Sequence, residues 1–328
     1  MDIQKRALYN SLRMNWLLDP SLKVDSWQVE NYREMSIPFI LSALEKFNIR
    51  FTKELFAAFA EDFDSPEELV EEILSEGEFN PEDEDHIYLL FFELWRRIET
   101  DKPCLSVFCD ELDYQIFLFD NHKTQNPEDI EDSISNLHVI LNENIDNGCD
   151  PLEILQFINQ GCANDIEAFL YDYIEEQIEN QNFSYAIELI DNFIDFVDEE
   201  KWFDLLQVRV LSHTDPEGAS ILIEQLVKEA EDEDDLEFNL EVLAEMVKDG
   251  NIEIFISLLI NTSELLETEE NFQDLLTICI DYYGCRDLEN QEEKLQQLLT
   301  KRLDKNPNAK FNPHDEDLFK LMEIIQAN

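Results

Sequence analysis

Apolar residues recur along this chain at the three- and four-residue spacing of helices buried on one side. Phe272, Leu275, Leu276, Cys279 and Tyr283 form one such stripe, and Ala186, Leu189, Ile190, Phe193 and Val197 form another. Alternation with a period of two is scarce, and no Asn-Gly or Asp-Gly pair sits between β-branched runs. The pattern predicts an all-α chain. In two stretches, Ile87 to Trp95 and Leu105 to Phe119, apolar residues crowd every side. The heptad-like spacing of Leu105, Phe108, Leu112, Ile116 and Phe119 favours central, buried helices there over strands.

Local punctuation agrees with helices. Eight of the ten prolines follow Asp, Asn or Ser: Pro20, Pro66, Pro81, Pro127, Pro151, Pro216, Pro307 and Pro313. Such a pair supplies a side-chain acceptor at N-cap and a fixed φ at N1, so each is expected to start a helix. Pro38 is expected to divide the N-terminal helical pattern, with Ser36 capping the second piece. Gly77, Gly148, Gly161, Gly250 and Gly284 follow helical runs and suit left-handed C-terminal caps.

Charge divides the chain further. Residues 1–53 carry eight basic and six acidic side chains, whereas residues 54–95 carry fifteen acids and no base. The expected organisation is a near-neutral N-terminal helical segment at 1–53, an acidic helical region at 54–165, helix pairs at 166–304 and a C-terminal capping helix at 305–328. From Ile166 to Leu303 the helices pair with a period in the mid-thirties: 166–179 with 184–197, 200–212 with 216–230, 235–248 with 251–262, and 269–283 with 287–304. That period is the arithmetic of antiparallel helix pairs stacked as an α-solenoid.

The run Asn182-Phe183-Ser184-Tyr185-Ala186-Ile187-Glu188-Leu189 resembles the start of the second helix of the tetratricopeptide family. Ala219 follows Ala186 after thirty-three residues, with Ile223 and Leu226 at positions for large residues. Ile174 and Gln207 replace the family's small residue in the first helix, and Asp198 replaces its closing proline. The resemblance covers about 140 residues and implies a protein-binding scaffold.

Composition decides which chemistry to look for. The chain has 77 acids against 23 bases and a formal charge of −54, and no Lys or Arg occurs between Lys123 and Lys201. Its 23 Phe, 9 Tyr and 4 Trp argue against an acidic disordered tail, and the Phe-rich, Gly-poor composition argues against salt adaptation of the surface. The segment MDIQKRALYNSLRMNW lacks a signal-peptide core, and no run approaches the ~20 apolar residues of a membrane span, so a cytoplasmic protein is expected. Anionic lipid and nucleic acid are not expected as direct ligands.

The six cysteines form no C-x-x-C pair and are read as reduced and mostly buried. Five scattered histidines and six glycines provide no zincin motif, nucleophile elbow, phosphate loop or dinucleotide fingerprint, so no cofactor or metal is assigned. Acids in helical register are the informative candidates. Asp172, Glu175, Glu176 and Glu179 form one stripe, and Glu188, Asp191, Asp195 and Asp198 form a second, opposite the Ala186/Ile190/Phe193/Val197 face. Neighbours of like charge at this spacing repel by a few tenths of a kcal/mol per pair, and no base lies between them.

These stripes are expected to dock a basic protein or peptide on a non-enzymatic scaffold, adaptor or escort. Two other classes share the composition: a nucleic-acid mimic that occupies another protein's DNA- or RNA-binding site, and a helical enzyme built on paired carboxylates.

Overall fold

The computed structural model describes residues 4–75, 77–124, 126–232, 234–248 and 250–326. It is all-α: 73% of the chain is helical, and no strand occurs among the described residues. The chain divides into two compact units, Met1–Leu170 and Tyr171–Asn328.

The first unit contains α1 (Gln4–Leu18), α2 (Ile37–Leu44), α3 (Lys53–Ala60), α4 (Pro66–Ser75), α5 (Pro81–Ile98), α6 (Leu105–Asp120), α7 (Glu128–Asp146) and α8 (Pro151–Gln160), and α9 (Ile166–Glu179) begins in it. Its axis is α5. The Asn80 side chain accepts from the Asp83 N–H at 2.9 Å, Pro81 supplies the first turn, Glu82, Asp83 and Glu84 sit at the positive end of the dipole, and Arg96 and Arg97 sit at the negative end. Every residue from Ile87 to Trp95 is at most 1% exposed, because α2, α3 and α4 all pack on this helix. A helix surrounded in this way has no solvent face to keep polar, which is why its apolar residues lack a stripe. Residues of the N-terminal third, among them Tyr9, Tyr32, Ile40 and Leu44, share the same core.

Burying α5 and α6 also buries acid, and the scarce arginines are used there. Glu93, on α5, bonds Arg96 at 2.7 Å and also Arg97. Arg97 goes on to donate to the carbonyls of Tyr32, Arg33 and Met35, which fixes the 3-10 turn Tyr32–Glu34 against the axis; another 3-10 turn, Ser26–Gln28, precedes it. Asp110, on α6, accepts from Arg6 Nε at 2.6 Å, Arg33 Nη2 at 2.5 Å and Asn10 Nδ2 at 3.0 Å. Burial opposes its charge, yet Arg6 and Arg33 overcome that penalty and hold its pKa down at about 2.

In the second unit come α10 (Phe183–Phe193), α11 (Glu200–Thr214), α12 (Pro216–Asp232), α13 (Leu236–Glu245), α14 (Ile252–Glu264), α15 (Glu269–Gly284), α16 (Glu289–Thr300) and α17 (Glu316–Gln326). Each helix packs on its sequence neighbour, and α11 also meets α13, α12 meets α14, and α13 meets α15. This is helical-repeat packing, in which first helices stack on first helices and second on second. Side-chain links reproduce the period: Lys201 bonds Asp235 across 34 residues at 2.9 Å, Tyr282 bonds the Gly250 carbonyl across 32 residues at 3.0 Å, and Trp202 meets Phe238 edge-on at 5.2 Å. Ala186 and Ala219 are both buried, so the small residue of each second helix lies where backbones approach.

Several local expectations hold and others need correction. Ser36 caps α2 ahead of Pro38, and Pro66, Pro81, Pro151 and Pro216 each open a helix. Pro20, Pro307 and Pro313 instead stand in turns, since an Asx-Pro pair nucleates a turn as readily as a helix; α17 begins three residues beyond Pro313. Of the glycines only Gly148 takes a left-handed conformation (φ 89°); Asn48, His122, Gln181 and Asp287 fill that role elsewhere. All six cysteines are free thiols, but only Cys109, Cys162 and Cys279 are buried, while Cys149 and Cys285 are exposed.

Two stability outcomes follow from this packing. Phe91→Ala, at the centre of the first core, is expected to lower the unfolding free energy by about 3–5 kcal/mol in denaturant titrations. Asp110→Asn leaves Arg6 without a carboxylate and Arg33 with Glu111 alone, and is expected to cost about 3–5 kcal/mol at neutral pH. A carboxyl whose folded pKa is depressed stabilises above its unfolded pKa and loses that contribution as pH falls through the folded value. The gap between wild type and Asp110→Asn should therefore close from about pH 4 towards pH 2, as followed by circular dichroism.

Candidate functional site

In the second unit, α9, α11, α13 and α15 bring their C-terminal turns to one groove of about 820 Å³. Ile178, Val208 and Ile223 are buried side chains that give it an apolar floor. Glu175 and Glu179 reach it from α9, Glu245 from α13 and Asp281 from α15. Phe183 and His213 also line it and stack on each other at 5.0 Å between ring centres.

The carboxylates stand at the wrong ends of their helices for the helix dipole. The last carbonyls of a helix carry about half a negative elementary charge, which stabilises cations and repels anions within the final turn. Glu179 and Glu245 are the last residues of α9 and α13, and Asp281 lies in the closing turn of α15. Glu179 and Asp281 are exposed and make no ion pair or side-chain hydrogen bond among the described residues.

One arginine relieves part of this repulsion. Arg209, on α11, donates to Glu245 at 2.8 Å, Glu241 at 2.7 Å, Glu175 and the Tyr171 hydroxyl at 3.1 Å. It therefore ties α9, α11 and α13 together with three carboxylates to one guanidinium. Burial raises the Glu175 pKa, Glu179 and Glu241 raise it further, and Arg209 pulls the other way. Burial likewise raises the Tyr171 hydroxyl to about 12, against the pull of Arg209.

The eight acids expected to form the docking surface separate into three groups. Glu175 and Glu179 line the groove, but Glu175 is half-buried and committed to Arg209. Asp172 and Glu176 are exposed elsewhere on α9, and Glu188 and Asp191 are exposed on α10. Asp195 and Asp198 are exposed but do not extend the α10 stripe, because the helix tightens to 3-10 at Ile194–Phe196 and ends. Asp172, Glu176, Glu188, Asp191 and Asp195 make no ion pair among the described residues.

Glu241, Glu245, Asp281 and Arg209 escaped the sequence reading. The signal for three of them was present: Glu175, Arg209, Glu241 and Glu245 are separated by 34, 32 and 36 residues, the period of the helix pairs. A lone base at that spacing from acids on either side is where one guanidinium can reach three successive first helices. Comparison of the chain with known protein families, curated proteins and solved structures returns no match.

Removing Arg209 tests the electrostatics of the groove directly. Arg209→Met is expected to cost about 1–3 kcal/mol of stability, discounted from a buried pair because the three carboxylates remain partly hydrated. The loss should shrink in molar salt and below about pH 5, where the freed carboxylates are screened or protonated. A loss independent of both would place the role of Arg209 in packing alone.

Proposed function

We propose that this chain is a non-enzymatic, cytoplasmic helical-repeat protein of tetratricopeptide-like construction. It binds a basic protein or peptide segment as a scaffold, adaptor or escort, with the groove of the second unit as the docking site. The observation that carries this reading is the pairing of an apolar floor with acids at three helix C-termini. A Lys or Arg side chain matches that combination, because its aliphatic stem covers apolar surface while its charged head stays among carboxylates. Glu179 and Asp281 make no ion pair among the described residues, although Arg209 and the exposed Lys248 also line the groove, so an incoming ammonium or guanidinium would find both carboxylates available.

The remaining acids support association by a longer-range route. Asp172, Glu176, Glu188 and Asp191 are exposed and project a negative field that raises the encounter rate of a positive partner without needing direct contact. Six free thiols, two of them exposed, suit a reducing compartment. No helix among the described residues is long and apolar enough to cross a membrane.

The test is binding of a fluorescent peptide with alternating Lys and Leu, read by anisotropy. Affinity is expected to fall at least about tenfold between low salt and ~0.5 M salt. Glu179→Gln and Asp281→Asn should each weaken binding about two- to fivefold, whereas Asp191→Asn and Asp195→Asn should change mainly the association rate. Binding that ignores salt, or that responds equally to all four substitutions, would overturn the groove as the docking site.

A further inference from the structure

A second site lies in the first unit and has the opposite chemistry. A partly open cavity of about 40 Å³ is lined by residues of α1, α6 and the 3-10 turns between α1 and α2. Arg6, Arg13 and Arg33 all line it, in a chain with 77 acids and 23 bases. Arg6, Asn10, Arg13 and Met14 come from one face of α1, at the spacing i, i+4, i+7 and i+8.

Two of the three arginines are saturated. Arg6 bonds Asp110, and Arg33 bonds Asp110 and Glu111 and lies over the Tyr114 ring at 4.1 Å. The two acids of α6 at the cavity are committed as well. Asp110 holds Arg6, Arg33 and Asn10, and Asp113 accepts from the N–H groups of Ala163 and Asn164 and from the Asn164 side chain. Arg13 is different. It is half-buried and has no hydrogen bond or ion pair among the described residues. The nearby Glu30 and Glu34 are exposed to solvent and do not bond it.

Burial and then Arg6 push the pKa of this guanidinium down, Glu34 and Tyr114 pull it up, and Arg33 adds a smaller push down. The other arginines at buried or half-buried positions, Arg96, Arg97, Arg209, Arg286 and Arg302, each hold carboxylate or carbonyl oxygens. Arg13 has five donors and no hydrogen-bonded acceptor among the described residues, and the exposed Glu30 also lines the cavity. Asn31 and Tyr114, which also line the cavity, have side-chain polar atoms without a hydrogen-bond partner among the described residues.

The size of the space narrows the ligand. One water needs about 10–15 Å³ of such volume, so this cavity holds roughly three water-sized positions, the bulk of a single oxyanion head. A planar fork of N–H donors matches the oxygens of a phosphate or a carboxylate, and an amide and a phenol add neutral donors. We propose that the cavity binds a small oxyanion, a phosphate or carboxylate group, held by Arg13 with Asn31 and Tyr114. The −54 charge of the chain opposes anions over its exterior, and Glu30, Asp110 and Asp113 match the three arginines of the cavity in number, so selectivity rests on the unpaired fork of Arg13 and not on net charge.

The experiment uses the full chain at constant ionic strength, exchanging sodium chloride for sodium phosphate in one arm and for sodium acetate in the other. Thermal unfolding and the Arg13 Nε–Hε resonance are followed together. In at least one arm the wild type is expected to show a saturable rise in unfolding temperature and a saturable shift of that resonance. The arm that saturates identifies the head group. Arg13→Gln loses no bond, so without added anion it should unfold at or above the wild-type temperature, and it should lose the response to phosphate and acetate. Arg13→Lys keeps the charge without the fork and should bind at least about tenfold more weakly. The proposal is overturned if neither anion saturates the wild type, or if Arg13→Gln responds as the wild type does.

Discussion

Cation scarcity is the constraint on which the rest of this structure depends. With 77 acids and 23 bases, pairwise neutralisation is impossible, and arginines are concentrated on buried acids: Asp110 and Glu93 each take two, while Arg209 and Arg302 each serve several carboxylates. Arg302, 1% exposed, holds Glu269 through two bonds of 2.6 and 2.7 Å and Asp315 at 2.8 Å, with Asp317 at 3.3 Å. Arg209 serves Glu175, Glu241 and Glu245. Buried charge is tolerated only when hydrogen bonds replace the lost water, and the five-donor fork of Arg meets that demand where Lys cannot. Interior acids are thereby made structural, and exposed acids such as Glu179 and Asp281 are left without an ion pair among the described residues.

In the second unit the same links set the register of the repeat. Arg302 reaches Glu269 across 33 residues, Lys201 reaches Asp235 across 34, and Arg209 reaches partners 32 to 36 residues away. Apolar contacts between amphipathic helices tolerate sliding by a turn, but a guanidinium held by several carboxylates does not, because each bond is directional. Hydrophobic burial stacks the helices, and the ion clusters select one stacking.

Helix type was legible from local information, as at Asn80-Pro81 and Asp150-Pro151, where cap, fixed φ and first-turn acids act within a few residues. The burial of α5 was legible from the loss of its polar face. The three Asx-Pro turns at Pro20, Pro307 and Pro313 were not, because the dipeptide favours helix and turn alike, and Pro313 stands in a turn even though α17 follows it. The groove lay further from reach. Asp172 and Glu179 share a stripe in sequence, yet only Glu179 lines the groove, since that depends on how α11, α13 and α15 pack. The end of α10 at Phe193 removed Asp195 and Asp198 from their stripe by a change of helical pitch that no charge pattern encodes.

The groove and the arginine cavity are two outcomes of one electrostatic rule. A folded chain with this composition lowers its energy wherever an acid finds a cation, so an exposed acid at a helix C-terminus and a half-buried arginine without an acid both run against the trend. Glu179 and Asp281 face a field that their own helices make more negative, while Arg13 faces one that Arg6 and Arg33 make more positive. Neither departure is repaired within the chain, although acids are abundant enough to have supplied Arg13 with a partner from any residue near the cavity. Each of these charges lies beside a space, and the two proposed ligands would supply the counter-charge that the chain does not.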